Sequence, residues 1–192
     1  MIDISKEARV LAHIAGPSGS GKTTLLQHLQ SKYPNLVTKD LDEFDEQGEQ
    51  ELGFSNIRKS SYTDDMLSSL AAKRQSLMDN FLVQYNNNPV VLGGHHTEDK
   101  HVLNIPTEKK YLLNTGALTS AIRGYRRDST RKLTDLPYDY KEAKDTINQL
   151  KGMNYQRMSP EQIHETIGLE LTKQAAPAWT IMLSSLSSGS VD

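Results

Sequence analysis

Two sets of residues in this chain have types and spacings that can do chemistry together. The first is the stretch Gly16-Pro17-Ser18-Gly19-Ser20-Gly21-Lys22-Thr23-Thr24. Glycines here allow the backbone to turn so that successive N–H groups converge on an anion. A helix starting near Lys22 adds the positive end of its dipole. From that position Lys22 can reach the outer phosphates of a bound nucleotide, and the Thr23 hydroxyl can ligate Mg²⁺. Gly16, Ser18, Gly19, Ser20, Gly21, Lys22, Thr23 and Thr24 are therefore the expected phosphate cradle. A chance match in a Gly/Ser-rich turn is the competing reading, and an apolar run before the loop with an amphipathic one after it argues against that.

The second set is acidic. Thr38-Lys39-Asp40-Leu41-Asp42-Glu43-Phe44 follows a short apolar run, in the place where parallel sheets put ligands, beyond the carboxyl end of a strand. Alternating residues on a strand end point the same way, so Asp40 and Asp42 can share one site. Two close carboxylates raise one pKa unless Mg²⁺ or Lys22 neutralises them. The competing reading makes this stretch the acidic first turn of a helix. Further on, Arg123, Arg126 and Arg127 end a helical stretch. Arg123 and Arg127 are four apart and share a face, with Arg126 close to it. A solvated basic helix end complementing its dipole is the alternative for these arginines.

The elements that must carry these groups can be outlined. Val10 to Ala15 is a short, partly β-branched apolar run, as expected of a buried parallel strand. Thr23 to Tyr33 has Leu25, Leu26 and Leu29 on one face, and Pro34 stops it. Strands are expected at 36–38, 90–92 and 110–114, and a helix over 117–127. Met66, Leu70, Leu77, Met78, Phe81, Leu82 and Tyr85 recur at helical spacing and are expected to face the core, with Ser61, Thr63 or Asp64 as cap. Residues 45–60 read as loop or short irregular helix. Lys141 to Leu150 reads as helix, Ser159-Pro160-Glu161-Gln162 as a helix start with a capping box, and 178–183 as a last strand or helix end. Strands alternating with helices predict an α/β fold, a parallel sheet covered on both faces. A single domain is expected over 1–185, with 186–192 a frayed tail.

Composition narrows the partners. The 192 residues suit one core-bearing domain. A net charge of −2 gives no bulk pull toward nucleic acid or membrane, although a local patch remains compatible with it. With no cysteine, disulfides, thiolate catalysis and Cys-based zinc sites are excluded. No secretion signal is legible at the N-terminus and no apolar run approaches the ~18 residues needed to span a bilayer, so a cytoplasmic location is expected.

The glycine-rich loop matches the P-loop pattern in full and, by its spelling, resembles ABC-type ATPases, guanylate kinases and small P-loop kinases. The first lacks its L-S-G-G-Q signature and D-E strand here. The second lacks its Ser, Arg and Tyr cluster after the second strand. The acidic segment resembles the D-x-D of shikimate-kinase-like enzymes and the D-D-F of uridine-kinase-like enzymes, and Val90-Val91-Leu92-Gly93-Gly94 resembles the shikimate kinase strand whose glycines lie against the acceptor. The 111–128 segment looks like the strand, helix and lid of small P-loop kinases. This resemblance implies a three-layer P-loop NTPase fold with a helical acceptor-binding insert and a lid. It implies MgATP as donor, with Asp40 on the metal side with Thr23, Asp42 as general base, and Lys22, Arg123 and Arg127 stabilising the transferring phosphoryl. Arg126 would contact the nucleotide, with Arg131 a further lid candidate. Arg58, Arg74, Gly93, Gly94 and His95, with His96 beside it, are the acceptor-side candidates. The resemblance predicts a kinase acting on a small molecule, a nucleoside or nucleotide before another polar metabolite or a nucleobase hydroxyl on DNA. A nucleotide-hydrolysing switch or motor is the reading from another class, and the sequence carries neither its hhhhDE strand nor an N-K-x-D base reader.

Overall fold

A computed structural model describes residues 10–94, 104–127 and 132–175. Within them the order is β1 (Val10–Ala15), α1 (Lys22–Lys32), β2 (Val37–Asp40), α2 (Asp42–Glu51), a 3₁₀ turn (Lys59–Ser61), α3 (Asp64–Gln84), β3 (Val90–Gly93), β4 (Lys110–Leu113), α4 (Ala117–Arg127), a second 3₁₀ turn (Leu133–Asp135), α5 (Leu136–Gly152), β5 (Gln156–Met158) and α6 (Pro160–Ala175). The five strands form one sheet in the order β2-β3-β1-β4-β5, and every pairing is parallel.

Period-two alternation sends side chains to both faces of this sheet, and both are covered. Ile14, Val91, Tyr111 and Leu113 pack with Leu25, Leu26 and Leu29 of α1 and with Ile163 and Ile167 of α6. On the other face Val90 and Leu92 meet Phe44 of α2 and Met78 and Leu82 of α3. Ala15 and Leu112 meet Ile147 and Leu150 of α5. The result is a three-layer α/β structure whose central strands are buried on both sides, as a parallel sheet requires.

Several local expectations hold. Thr63 caps α3, its Oγ1 accepting from the Met66 N–H at 3.3 Å. Ser159 and Gln162 form a reciprocal capping box at α6: the Ser159 N–H donates to Gln162 Oε1 at 2.8 Å and the Gln162 N–H to Ser159 Oγ at 3.2 Å. The expected strand end across Asp40-Leu41-Asp42 is corrected. β2 stops at Asp40, and Asp42 is already the first residue of α2. Residues 42–51 are a regular α-helix, the competing reading of the acidic segment, where loop or a short irregular helix was expected from 45. The last strand of the described residues is Gln156–Met158; residues 178–183 lie outside the described residues, as does the tail 186–192.

Register explains where a site can form. Asp40 pairs with Gly93, Gly93 with Ile14, Ala15 with Leu112, and Leu113 with Met158. All five carboxyl ends therefore lie at one edge, and the segments leaving them are the glycine-rich loop, the start of α2, Gly94, Asn114-Thr115-Gly116 and the cap of α6.

Candidate active site

A cleft of about 1320 Å³ opens at this edge, lined by the loop from Pro17 to Thr24, by Asp42, Thr115, Arg123 and Arg127, and by residues of α1, α5 and α6. The loop is shaped from within. Gly19 and Gly21 have φ of +76° and +98°, values that side chains other than glycine rarely take. Gly19 also lies against α4: a Cβ there would sit 2.3 Å from the Ser120 carbonyl oxygen. Neither strain nor clash can relax without moving backbone. Gly19→Ala is expected to destabilise the fold by about 3 kcal/mol, read from chemical denaturation midpoints at unchanged slope.

The loop is also tied to its surroundings by side chains. The Thr115 hydroxyl donates to the Ser20 carbonyl at 2.9 Å, and Arg127 donates to Ser18 Oγ at 3.3 Å. Lys22 folds over the loop, its Nζ donating to the Gly16 carbonyl at 2.8 Å and the Pro17 carbonyl at 3.3 Å. Burial pushes the Lys22 ammonium below its usual pKa, opposed by the charges of Asp42 and Asp40 and reinforced by that of Arg127. One lysine is thus influenced by both acidic candidates and by Arg127 of α4.

Thr23 and Asp40 are brought together, the hydroxyl donating to Asp40 Oδ2 at 3.1 Å. The other oxygen of Asp40 accepts the backbone N–H of Asp42 at 3.3 Å, so Asp40 also supports the start of α2. A hydroxyl and a carboxylate side by side are the hard oxygen donors Mg²⁺ prefers. Among the described residues no group of three or more His, Asp or Glu side chains is placed to hold an ion, so a cation at Thr23 and Asp40 would draw its other ligands from phosphate and water. Asp42 is exposed and lines the cleft.

Gly94 packs against Leu41. Its φ is +145° and a Cβ would meet Leu41 Cβ at 2.7 Å. Its N–H bonds to the Ile14 carbonyl at 3.1 Å, while the Leu41 N–H bonds to the Gly93 carbonyl at 2.6 Å. The Gly93-Gly94 turn therefore abuts the residue between Asp40 and Asp42. His95, His96 and Arg131 lie outside the described residues.

Other expected site residues are placed elsewhere. Arg126 is exposed and does not line the cleft, unlike Arg123 and Arg127. Arg58 is exposed ahead of the first 3₁₀ turn and is not in the cleft lining either. Arg74 is committed to Asp45, its Nη1 donating to Oδ1 at 3.0 Å between side chains only 12% and 19% exposed. Burial raises the Asp45 pKa, and the charge and hydrogen bond of Arg74 pull it back. Arg74→Leu leaves that carboxylate enclosed without its guanidinium, and should destabilise the fold by about 1–3 kcal/mol in denaturant titrations.

Spacing also missed part of the cleft. Thr115 lines it, as do His28 of α1, Asp139 and Glu142 of α5, and Pro160 and His164 of α6. Asp139 is 8% exposed. Two sequence signals fell near these positions: the strand end at Thr115, within the segment that looks like a small P-loop kinase, and the capping box, which marked a helix start rather than a cleft wall.

No protein-family model matches the chain, and no curated protein sequence matches it. Solved structures do. Shikimate kinase from Acinetobacter baumannii in complex with shikimate superposes with a TM-score of 0.50 at 15% identity, covering 89% of this chain and 97% of that one. Shikimate kinase from Aquifex aeolicus gives a TM-score of 0.48 at 15% identity, covering 85% of this chain and 97% of that one. At such identity the likeness concerns the fold. The parallel sheet order, the glycine-rich loop between β1 and α1 and the first of these superpositions give this chain a three-layer P-loop fold like that of the shikimate kinase it superposes on.

Proposed function

We propose that this protein is an ATP-dependent phosphotransferase that moves the γ-phosphoryl group of MgATP to a hydroxyl of a small polar acceptor. The observation that carries the reading is one cleft lined by Lys22, Asp42, Arg123 and Arg127, with Asp40 hydrogen-bonded to Thr23 and Arg127 to Ser18 of the phosphate loop. A hydrolysing switch needs a positioned water. A transferase needs a base beside the acceptor and cations around the moving phosphoryl, and this cleft supplies groups of both kinds.

In this reading the loop N–H groups and Lys22 hold the outer phosphates, and Thr23 with Asp40 holds Mg²⁺. The acceptor lies on the Gly93-Gly94 turn beside Asp42. As the acceptor oxygen bonds to the γ-phosphorus and the bond to the bridging β,γ-oxygen breaks, Asp42 takes the hydroxyl proton and ADP leaves. Lys22, Arg123 and Arg127 stabilise the charge on the equatorial oxygens, where preorganised donors contribute most.

The engagement of Arg74 by Asp45 bears on the acceptor. Arg74 and Arg58 were the two candidates for an acceptor's phosphate or carboxylate; with Arg74 held by Asp45 and Arg58 outside the cleft lining, a nucleoside or another hydroxylated metabolite is favoured over a nucleotide. A transfer screen with γ-labelled ATP and Mg²⁺ over nucleosides, nucleotides, sugars, hydroxylated acids and DNA tests this. Label in a nucleoside or other small polyol is the expected result. Label passing to water alone across the whole panel points to the hydrolysing alternative, and label on a nucleotide or DNA overturns the acceptor class.

A further inference from the structure

The cleft extends well past the phosphate loop, along α1 to the first turns of α6. Three rings form a short ladder at that end. Tyr33 and His164 are stacked, with centroids 5.5 Å apart and planes 30° from parallel. His164 and His28 follow at 5.3 Å and 47°. Gly168 leaves the room for Tyr33 against α6, since a Cβ there would lie 2.4 Å from the phenol oxygen. The ladder ends in an exposed ring: His28 is open to solvent and lines the cleft, as does His164 beneath it.

The spacing from the phosphates is set by α1 itself. Thr24 lies in its first turn and lines the same cleft. His28 is four residues on, about 6 Å further along the axis and on the same face. A ring one turn beyond the phosphate cradle, in the same cleft, is within reach of the base of a nucleotide whose phosphates occupy the loop. Planar bases stack on aromatic faces, with little dependence on base identity. The charges around the ladder are mixed, Lys32 on α1 against Glu161 and Glu165 on α6, all lining the cleft. That balance suits a neutral heterocycle rather than another phosphate. His164 is pushed toward its neutral form by burial, then by Lys32 and His28, with Glu165 opposing.

We propose that His28, backed by His164 and Tyr33, is the platform on which the base of the donor nucleotide stacks, an assignment that rests on the phosphotransferase reading. Because stacking and not edge recognition does the holding, the site should take ADP and GDP with similar affinity.

Calorimetry on the full chain with Mg²⁺, comparing ADP, GDP and inorganic tripolyphosphate, tests the assignment. His28→Ala should weaken ADP about tenfold and leave tripolyphosphate within about twofold, and His28→Phe should restore ADP. In NMR spectra the His28 ring protons should move upfield with ADP and not with tripolyphosphate. ADP binding unchanged in His28→Ala, an equal loss of tripolyphosphate, or wild-type protein that binds tripolyphosphate as tightly as ADP would each overturn the platform while sparing the phosphate loop. ADP bound more than tenfold tighter than GDP would overturn the stacking account. Failure of the wild-type chain to bind any of the three would remove the donor site itself.

Discussion

Replacing Asp42 by asparagine is expected to slow phosphoryl transfer about a thousandfold while leaving ADP affinity within about twofold. The amide keeps the size of the carboxylate and removes its basicity. Asp42 is exposed at the first position of α2, so the exchange does not disturb the core. It does remove the largest of the charges that keep Lys22 protonated, so the Lys22 pKa should fall further. Asp40→Asn gives a different signature, because Asp40 touches Thr23 Oγ1: the Mg²⁺ concentration needed for half-maximal rate should rise. Single-turnover transfer from labelled ATP, run against a Mg²⁺ series, separates the two. An unchanged rate in Asp42→Asn would end its assignment as the base.

The second large effect is at Lys22. Lys22→Ala should lower kcat/KM by two to three orders of magnitude, about the scale for losing one donor aimed at developing charge, and should weaken ADP as well. The ammonium is the active form, and burial sets its pKa below the ordinary 10.5. Activity carried by a protonated group is lost as pH rises through its pKa, so the alkaline limb of kcat/KM should begin at lower pH than for an ordinary lysine. A profile that stays level to pH 10.5 would show that Lys22 is not so tuned. The same limb should move to still lower pH in Asp42→Asn if transfer remains measurable, which links the two experiments.

Much of this site was legible in the chain because the relevant signals are local. The run from Gly16 to Thr24 declares its own backbone through glycine, and its own helix start through Lys22 and the leucines at 25, 26 and 29. The helical period from Met66 to Tyr85 identified a core-facing helix, and Leu70, Met78 and Leu82 are buried in it. The Ser159 capping box marked α6 to the residue. Two elements were less legible. β5 is three residues, Gln156-Arg157-Met158, with no apolar alternation, and it is a strand because β4 offers it an edge. α2 is dense in carboxylates and contains Gly48, which reads as loop or short irregular helix. Gly48 is nevertheless buried, with Leu70 of α3 packed where a Cβ would be.

The sequence by itself determined the glycine-rich loop, the alternation that demands a covered parallel sheet, and the residue types available for the proposed transfer. Tertiary structure decided which of those residues meet. Parallel register aligned five strand ends, so that Asp40, Asp42, Lys22 and the Gly93-Gly94 turn share one edge. Packing of α2 on α3 took Arg74 for Asp45, and packing of α6 beside α1 brought His164 onto His28. The physical reason is the range of the interactions. Turns, caps and periodicity are written within a few neighbouring residues, whereas ion pairs and ring contacts between distant segments exist only once the chain has closed around its core.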